Sequence, residues 1–255
     1  MWFIARAANN HCIRTHPYVS FMNNYPQASR ILVAIDCIIF GFDGKDIKLL
    51  LIKRNFEPEK GKWSLMGGFL EQEEDLSDGA ARILYNLTGL KNIYVEQLET
   101  FGKVDRDPGE RTVSVVFFAL IQIDDHDAEA VKSHHASWIS LEGRPCLIFD
   151  HEVMVGKAIE HLKYKAALHP IGFELLPEFF TIPQLQKLYE AIYTIPIDRR
   201  NFSRKLLSTG LLLDTGLKNH NSTTKKATLY KLDTFKYKEK FHSFWNFMPD
   251  SMKES

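Results

Sequence analysis

The sequence predicts an α/β (α+β) sandwich followed by a winged helix-turn-helix domain. Three observations carry this. Blocks of β-branched, apolar residues alternate with helix-period segments through residue 165. The pattern breaks at His169-Pro170. After it comes the order helix, helix, strand, basic loop, strand. A chain of 255 residues suits one large domain or two modest ones.

ILVAIDCIIF (31–40) reads as a buried strand. Asp43-Gly44 is a hairpin signal, and DIKLLLIKR (46–54) answers it as a second strand. Gly61 to Leu70 reads as a glycine-rich loop. Leu76 to Thr88 reads as a helix, with Ser77 or Asp75 as its cap and Gly89 just past its end. VSVVFFALIQI (113–123) and HASWISL (135–141) are further strands, and Asp150 to Lys165 is a second helix. Leu185, Leu188, Tyr189 and Ile192 fall at i, i+3, i+4 and i+7, the apolar face of an amphipathic helix. Asp198 can cap the next helix, RRNFSRKLLSTG, which ends at Gly210 with Phe202 and Leu206 turned inward. LLLD (211–214) and ATLYKL (227–232) are the last strands, joined by the polar loop TGLKNHNSTTKK. The expected domains are therefore 30–168 and 169–240. An N-terminal extension (1–29) precedes them and an aromatic, basic tail (241–255) follows. Met22 offers an alternative translation start, because organised patterning begins only after it.

Charge is unevenly placed. Between Ile182 and Lys240 there are 12 Lys and Arg against 5 Asp and Glu, a net +7 in a chain whose formal net charge is zero. Such a basic part points to an anionic partner. Cys12, Cys37 and Cys146 form no CxxC pair, which fits a reducing, cytoplasmic setting and argues against a zinc site. No apolar run reaches the ~20 residues of a membrane span, and the N-terminus lacks the apolar core of a signal peptide.

Residues 67–90, GGFLEQEEDLSDGAARILYNLTGL, carry the most specific signal. They resemble the box of the Nudix hydrolase family, G-x5-E-x7-R-E-U-x-E-E-x-G-U with U bulky and apolar. Gly68, Glu74, Arg82, Leu84 and Gly89-Leu90 match in register, and WSLMGGF precedes them with Met66 where proline is usual. The metal-binding glutamates are replaced by Ile83, Asn86 and Leu87. Residues at i, i+3 and i+4 share one helix face, so three carboxylates there would hold the divalent cations that neutralise a diphosphate and activate water. Two aliphatic side chains and one amide remove that chemistry. The expectation is a Nudix-like fold with no metal, no cofactor and no catalysis, in which Glu74 and Arg82 form the structural ion pair the resemblance implies. The acidic cluster Glu71, Glu73, Glu74, Asp75 and Asp78 reads as a solvated loop complementing a helix N-terminus. A displaced metal site is the rival reading.

The C-terminal stretch resembles the winged-helix half of Nudix-related transcriptional regulators, and the two resemblances together cover about 30–235. The likeness is strongest to the arabinose-responsive branch of Bacteroidetes. That implies a repressor of pentose-utilisation genes released by a sugar, L-arabinose. Regulators sensing ADP-ribose belong to the same wider family and supply the alternative effector. A Nudix hydrolase of ADP-ribose or a sugar nucleotide is the enzyme alternative, and a protein-binding basic module is the third.

Candidate DNA contacts are Arg199, Arg200, Asn201, Ser203, Arg204 and Lys205 on the second helix, because a recognition helix reads base edges from its N-terminal part. Lys218, Thr224, Lys225 and Lys226 are candidates on the wing, where phosphates supply affinity. Two such heads suit a palindromic operator in double-stranded DNA, so a homodimer is expected. Candidate effector contacts are Asp36, Lys53, Arg54, Trp63, Phe69, Glu71, Arg111 and His151, since a sugar needs polar groups beside an apolar or aromatic face. Each has a plainer reading. Asp36 interrupts an apolar strand and needs partners whether or not it meets a ligand. Trp63 suits a core, Lys53-Arg54 a solvated strand end, Arg111 a turn near Glu110, and His151 a helix cap.

Overall fold

The computed structural model describes residues 27–123, 129, 131–168, 171–219 and 227–239. Ile31–Ser255 forms one compact unit. Met1–Arg30 forms another, of which only 27–30 are described. The proposed start at Met22 and the tail 241–255 lie outside the described residues.

The first half is a mixed sheet between two helices. Its strands are β1 (Leu32–Phe42), β2 (Ile47–Lys53), β3 (Trp63–Ser64), β4 (Met66–Phe69), β5 (Glu96–Phe101), β6 (Thr112–Gln122) and β7 (Ala136–Ser140). The main path runs β3-β2-β1-β6-β5, with β4 on β1 and β7 on β2. β1 and β6 run parallel, in register from Leu32↔Thr112 to Phe42↔Gln122, while the other strand pairs among the described residues are antiparallel. Alternation along β1 sorts its side chains. Ile35, Cys37 and Ile39 join the core under α1 (Leu76–Thr88), with Ala80, Ile83 and Leu84. Ile38, Phe40 and Phe42 join the core that holds Met154, Val155, Ala158 and Leu162 of α2 (His151–Leu168).

That second core does not stop at the sheet. It continues without a break into Leu185, Leu188 and Tyr189 of α3 (Ile182–Tyr193), Phe202 and Leu206 of α4 (Arg199–Ser208), and Leu211. The two expected domains thus share one hydrophobic cluster, with α2 as its spine. Tyr193 adds a hydrogen bond from its hydroxyl to the Lys163 carbonyl on α2 at 3.3 Å.

The C-terminal part follows its sequence pattern closely. Thr181 and Gln184 form a reciprocal capping box, and Pro183 sits in the first turn of α3, where a missing N–H costs nothing. The four periodic residues of α3 are all buried. Its turn to α4 is locked from α3, since Gln186 donates to the Ile197 carbonyl and Glu190 accepts from the Ile197 N–H, each at 3.0 Å. Asp198 caps α4 by accepting from the Asn201 N–H at 2.8 Å. The hairpin of β8 (Leu212–Asn219) and β9 (Ala227–Leu232) follows, then α5 (Thr234–Glu239). Tyr230 exchanges both backbone hydrogen bonds with Phe180, clamping the hairpin to the entry of α3.

Several expectations need correction. The loop 61–70 contains β3 and β4, held because Asp36↔Gly67 and Ile52↔Ser64 pair across antiparallel ladders. α2 runs to Leu168, past Lys165. β5 was not foreseen, since Glu96–Phe101 carries three polar or charged residues among its first four. The strand expected at LLLD (211–214), β8, begins at Leu212 and runs on to Asn219 through a bulge. There Thr215 donates its hydroxyl to the Leu229 carbonyl at 2.7 Å and Gly216 takes a positive φ of 69°.

Candidate functional site

The Nudix-type helix α1 keeps the frame of the motif and carries Ile83, Asn86 and Leu87 at the three positions expected to bind metal. Glu74 accepts from Arg82 Nε at 2.8 Å and Nη2 at 2.5 Å, and its Oε1 also takes the Glu71 N–H at 2.8 Å. Arg82 reaches on to the Phe69 carbonyl at 2.9 Å. The expected ion pair therefore staples the loop after β4 to the helix. The Arg82 hydrogen bond holds the Glu74 carboxyl down to about 2, against an ordinary 4.5. Stability from this pair is complete above pH 4.5 and is lost as pH falls toward 2. Glu74→Gln is expected to lower the pH 7 melting temperature and to flatten that acid limb. An unchanged acid transition counts against the assignment.

Ile83 stands where the first glutamate is expected. It is buried, and its Cδ1 and Cγ1 lie 3.1 Å from where a Cβ on Gly68 would stand. The space between Gly68 of β4 and the helix is thus filled by hydrocarbon. Asn86 is exposed and Leu87 packs at the edge of the core. Among the described residues no group of three His, Cys, Asp or Glu is placed to hold a metal ion.

On the opposite face of the sheet lies a buried charged cluster. Asp36 of β1 accepts from the Ser114 hydroxyl at 2.6 Å. Arg106, in the loop after β5, donates to Asp150 from Nε at 3.0 Å and Nη2 at 2.8 Å, and its Nη2 lies 3.6 Å from Asp36. Arg106 and Asp36 side chains are 2% and 7% exposed. His151 opens α2, with Nε2 facing Asp36 Oδ1 at 3.6 Å while Nδ1 accepts the Leu65 N–H. Burial holds the His151 pKa below its usual value, against the pull of Asp36 and Asp150. The neutral ring suits an acceptor at Nδ1. Its contribution is full above the ordinary pKa and fades as pH falls below it. His151 is thus a buried link between sheet and helix, not the cap its position suggested.

The other effector candidates divide between places. Arg54 lies with its guanidinium carbon 3.8 Å from the Phe56 ring centre and 5.4 Å from that of Phe149, the residue preceding Asp150. Beside it Lys53 stands 5.2 Å over Trp63, which packs half-buried on the core. Phe69 is exposed at the end of β4, and Glu71, on the loop after it, lies 3.4 Å from Arg82. Arg111 is committed to backbone, donating to the carbonyls of Gly102, Lys103 and Thr112. Sequence reasoning passed over Arg106, five residues upstream, and also Phe56, Phe149 and Asp150. The one signal was the need of a carboxylate inside an apolar strand for a partner.

At the C-terminal end, α4 anchors through Phe202, 5.6 Å from Tyr189, and Leu206. Arg199, Arg200, Asn201 and Arg204 are exposed, and Ser203 and Lys205 are half-exposed. Arg204 is steadied by donating to the Asn201 side chain at 2.8 Å. Lys218 lies exposed on β8, bonded to the Thr228 hydroxyl. Thr224, Lys225 and Lys226 lie outside the described residues.

A Nudix-type sandwich sharing its core with a winged helix-turn-helix defines a class, the Nudix-fused DNA-binding regulators. Comparison with known proteins agrees. The NUDIX domain profile matches residues 30–147, and the NrtR DNA-binding winged helix domain profile matches 172–232. The ADPR responsive transcriptional repressor NtrR of Acinetobacter baylyi is 33% identical over 197 residues, 76% of this chain and 78% of that protein. Crystal structures of Shewanella oneidensis NrtR match at TM-score 0.66 alone and 0.67 in complex with a 27mer DNA. Identities are 32% and 30%, covering 79% and 81% of this chain and 94% and 95% of those. An ADP-ribose pyrophosphatase of Methanocaldococcus jannaschii is 36% identical over 123 residues, 48% of this chain and 70% of that protein. The chain belongs to the NrtR-type transcriptional regulators, which join a Nudix domain to a winged helix. No helix among the described residues is long and apolar enough to cross a membrane.

Proposed function

We propose that this chain is an operator-binding repressor whose Nudix-type domain takes an effector of the ADP-ribose class and does not hydrolyse it. The observation that carries the DNA reading is the division of α4, with Phe202 and Leu206 in the core and Arg199, Arg200, Asn201 and Arg204 in solvent. Two copies read the two halves of a palindrome. Residue chemistry speaks against hydrolysis at the usual metal position, because Ile83 and Leu87 have no oxygen to offer a cation.

The effector assignment departs from the sugar expected from sequence. The Acinetobacter baylyi relative is named for its response to ADPR, and nothing comparable supports L-arabinose. Arg54 adds a physical reason. A guanidinium placed beside two aromatic rings is positioned to offer its donors to a phosphate oxygen pair. No such arrangement is needed for an uncharged pentose. Effector binding shifts DNA affinity only through a difference between two states. The path available is α2, which begins at His151 directly after Asp150 and whose last turns share the core of α3.

The test is fluorescence anisotropy on an operator obtained by genome-wide selection with the purified full chain. ADP-ribose is expected to release the DNA and L-arabinose to leave it bound, with no AMP formed from ADP-ribose in Mg²⁺. Release by arabinose alone restores the sugar reading, and AMP formation restores the enzyme.

A further inference from the structure

We propose that two copies of this chain pair through the outer face of α2, packed antiparallel across a two-fold axis between Ala158 and Ile159. The inference rests on the two-headed reading above and assigns its interface.

The outer stripe of α2 holds Val153, Gly156, Lys157, Glu160, His161 and Tyr164, at i, i+3, i+4, i+7, i+8 and i+11. An antiparallel two-fold pairing centred on this stripe sets each residue opposite the one whose number brings the sum to 317. Val153 then faces Tyr164 of the second copy, Gly156 faces His161, and Lys157 faces Glu160. Each pair is complementary in kind: aliphatic with aromatic, gap with ring, cation with anion. Symmetry makes each pair twice.

Three features of the single chain favour a second helix here over water. Val153 and Tyr164 are 57% and 54% exposed although both are large and apolar. Gly156 sits inside an 18-residue helix, where glycine is destabilising, and beyond its chain neighbours and the backbone of its own helix no atom of the described residues lies within 4 Å of the Cβ it lacks. A glycine there lets another helix come close. Lys157 and Glu160, 3.5 Å apart within the chain, are exposed and free to exchange partners across the axis. β5, the sheet edge next to α2, extends the face with Leu98 and Glu99. One helix stripe is smaller than the roughly 800 Å² per partner of a standard interface. The expected association is therefore weak in free protein and reinforced when both heads occupy one operator.

The test uses the full chain with Cys12→Ser and Cys146→Ser, Cys37 being buried. Val153→Cys and Tyr164→Cys proteins are treated with a thiol linker of roughly 8–10 Å, the spacing of packed helix axes. A mixture of the two is expected to crosslink. Neither alone should do so, because like positions lie about 16 Å apart along the axis. In sedimentation velocity, Lys157→Glu is expected to weaken the dimer about tenfold or more, and Lys157→Glu with Glu160→Lys to restore it. Melting curves and half-site binding of Lys157→Glu should match the parent, which separates loss of pairing from loss of folding or of the operator reading. A chain that stays monomeric with and without full operator overturns the proposal. So does a dimer that neither crosslinks in the mixture nor responds to Lys157→Glu.

Discussion

Arg106→Ala is expected to destabilise the folded chain by about 3–5 kcal/mol, the usual cost of removing one partner from a buried ionic group. The guanidinium is a fixed cation between two carboxylates. It binds Asp150 through two hydrogen bonds and lies 3.6 Å from Asp36. Without it Asp36 keeps the Ser114 hydroxyl and a His151 that burial holds toward neutrality. Water cannot easily replace it, because the Asp36 side chain is only 7% exposed. The measurement is urea unfolding, with the change read in the midpoint at constant m-value. Arg111→Ala is the contrast. It removes hydrogen bonds to three carbonyls, two of them at exposed sites, and leaves no carboxylate stranded. Adding Asp36→Asn to Arg106→Ala should recover part of the loss, since one uncompensated charge goes with it. A single-variant midpoint within the ~0.5 kcal/mol of an ordinary surface change would show that the cluster does not hold the sheet to α2.

The same cluster shows where sequence reading stops. Local chemistry in this chain is legible. Asp198 four residues before Phe202, the i, i+3, i+4, i+7 spacing of α3 and the Glu74–Arg82 separation each specify a contact closed within one or two turns, and each forms. The Nudix-type spacing likewise announces the sandwich, because Gly68, Arg82 and Gly89 serve the frame, which forms with Ile83, Asn86 and Leu87 at the three expected ligand positions. Asp36 announces a need but not its answer. Its partners come from Ser114, Arg106 and His151, 70 or more residues away, and no periodicity links them. Arg111 drew attention because it leads into a strong strand, yet its donors are spent on its own loop. β5 escaped because an edge strand with one mostly solvated face needs few apolar residues. The continuity of the core from β1 to α4 was also invisible, since apolar patterns mark which face is buried but not what it is buried against.

Arg204→Ala is expected to weaken operator binding about 10- to 100-fold at fixed salt without shifting the melting curve. The side chain is exposed on α4, one turn after Asn201, whose amide oxygen orients it at 2.8 Å. Among the described residues its charge meets no carboxylate, so the loss should appear in DNA affinity alone. How the loss is distributed says what Arg204 touches. A guanidinium paired with a guanine edge is worth about 1–3 kcal/mol at one base pair, so its removal relaxes discrimination there and leaves other positions alone. A phosphate contact instead weakens all sequences alike and reduces the slope of log affinity against log salt by about one. Lys187→Ala, an exposed cation on α3 outside the expected contact helix, is the control and should change little. Anisotropy titrations against the operator and single-base variants at several salt concentrations separate the cases. If Arg204→Ala binds as the parent does across that series, α4 is not the helix that lies in the groove. The +7 surplus of residues 182–240 would then have to act through the hairpin and its loop.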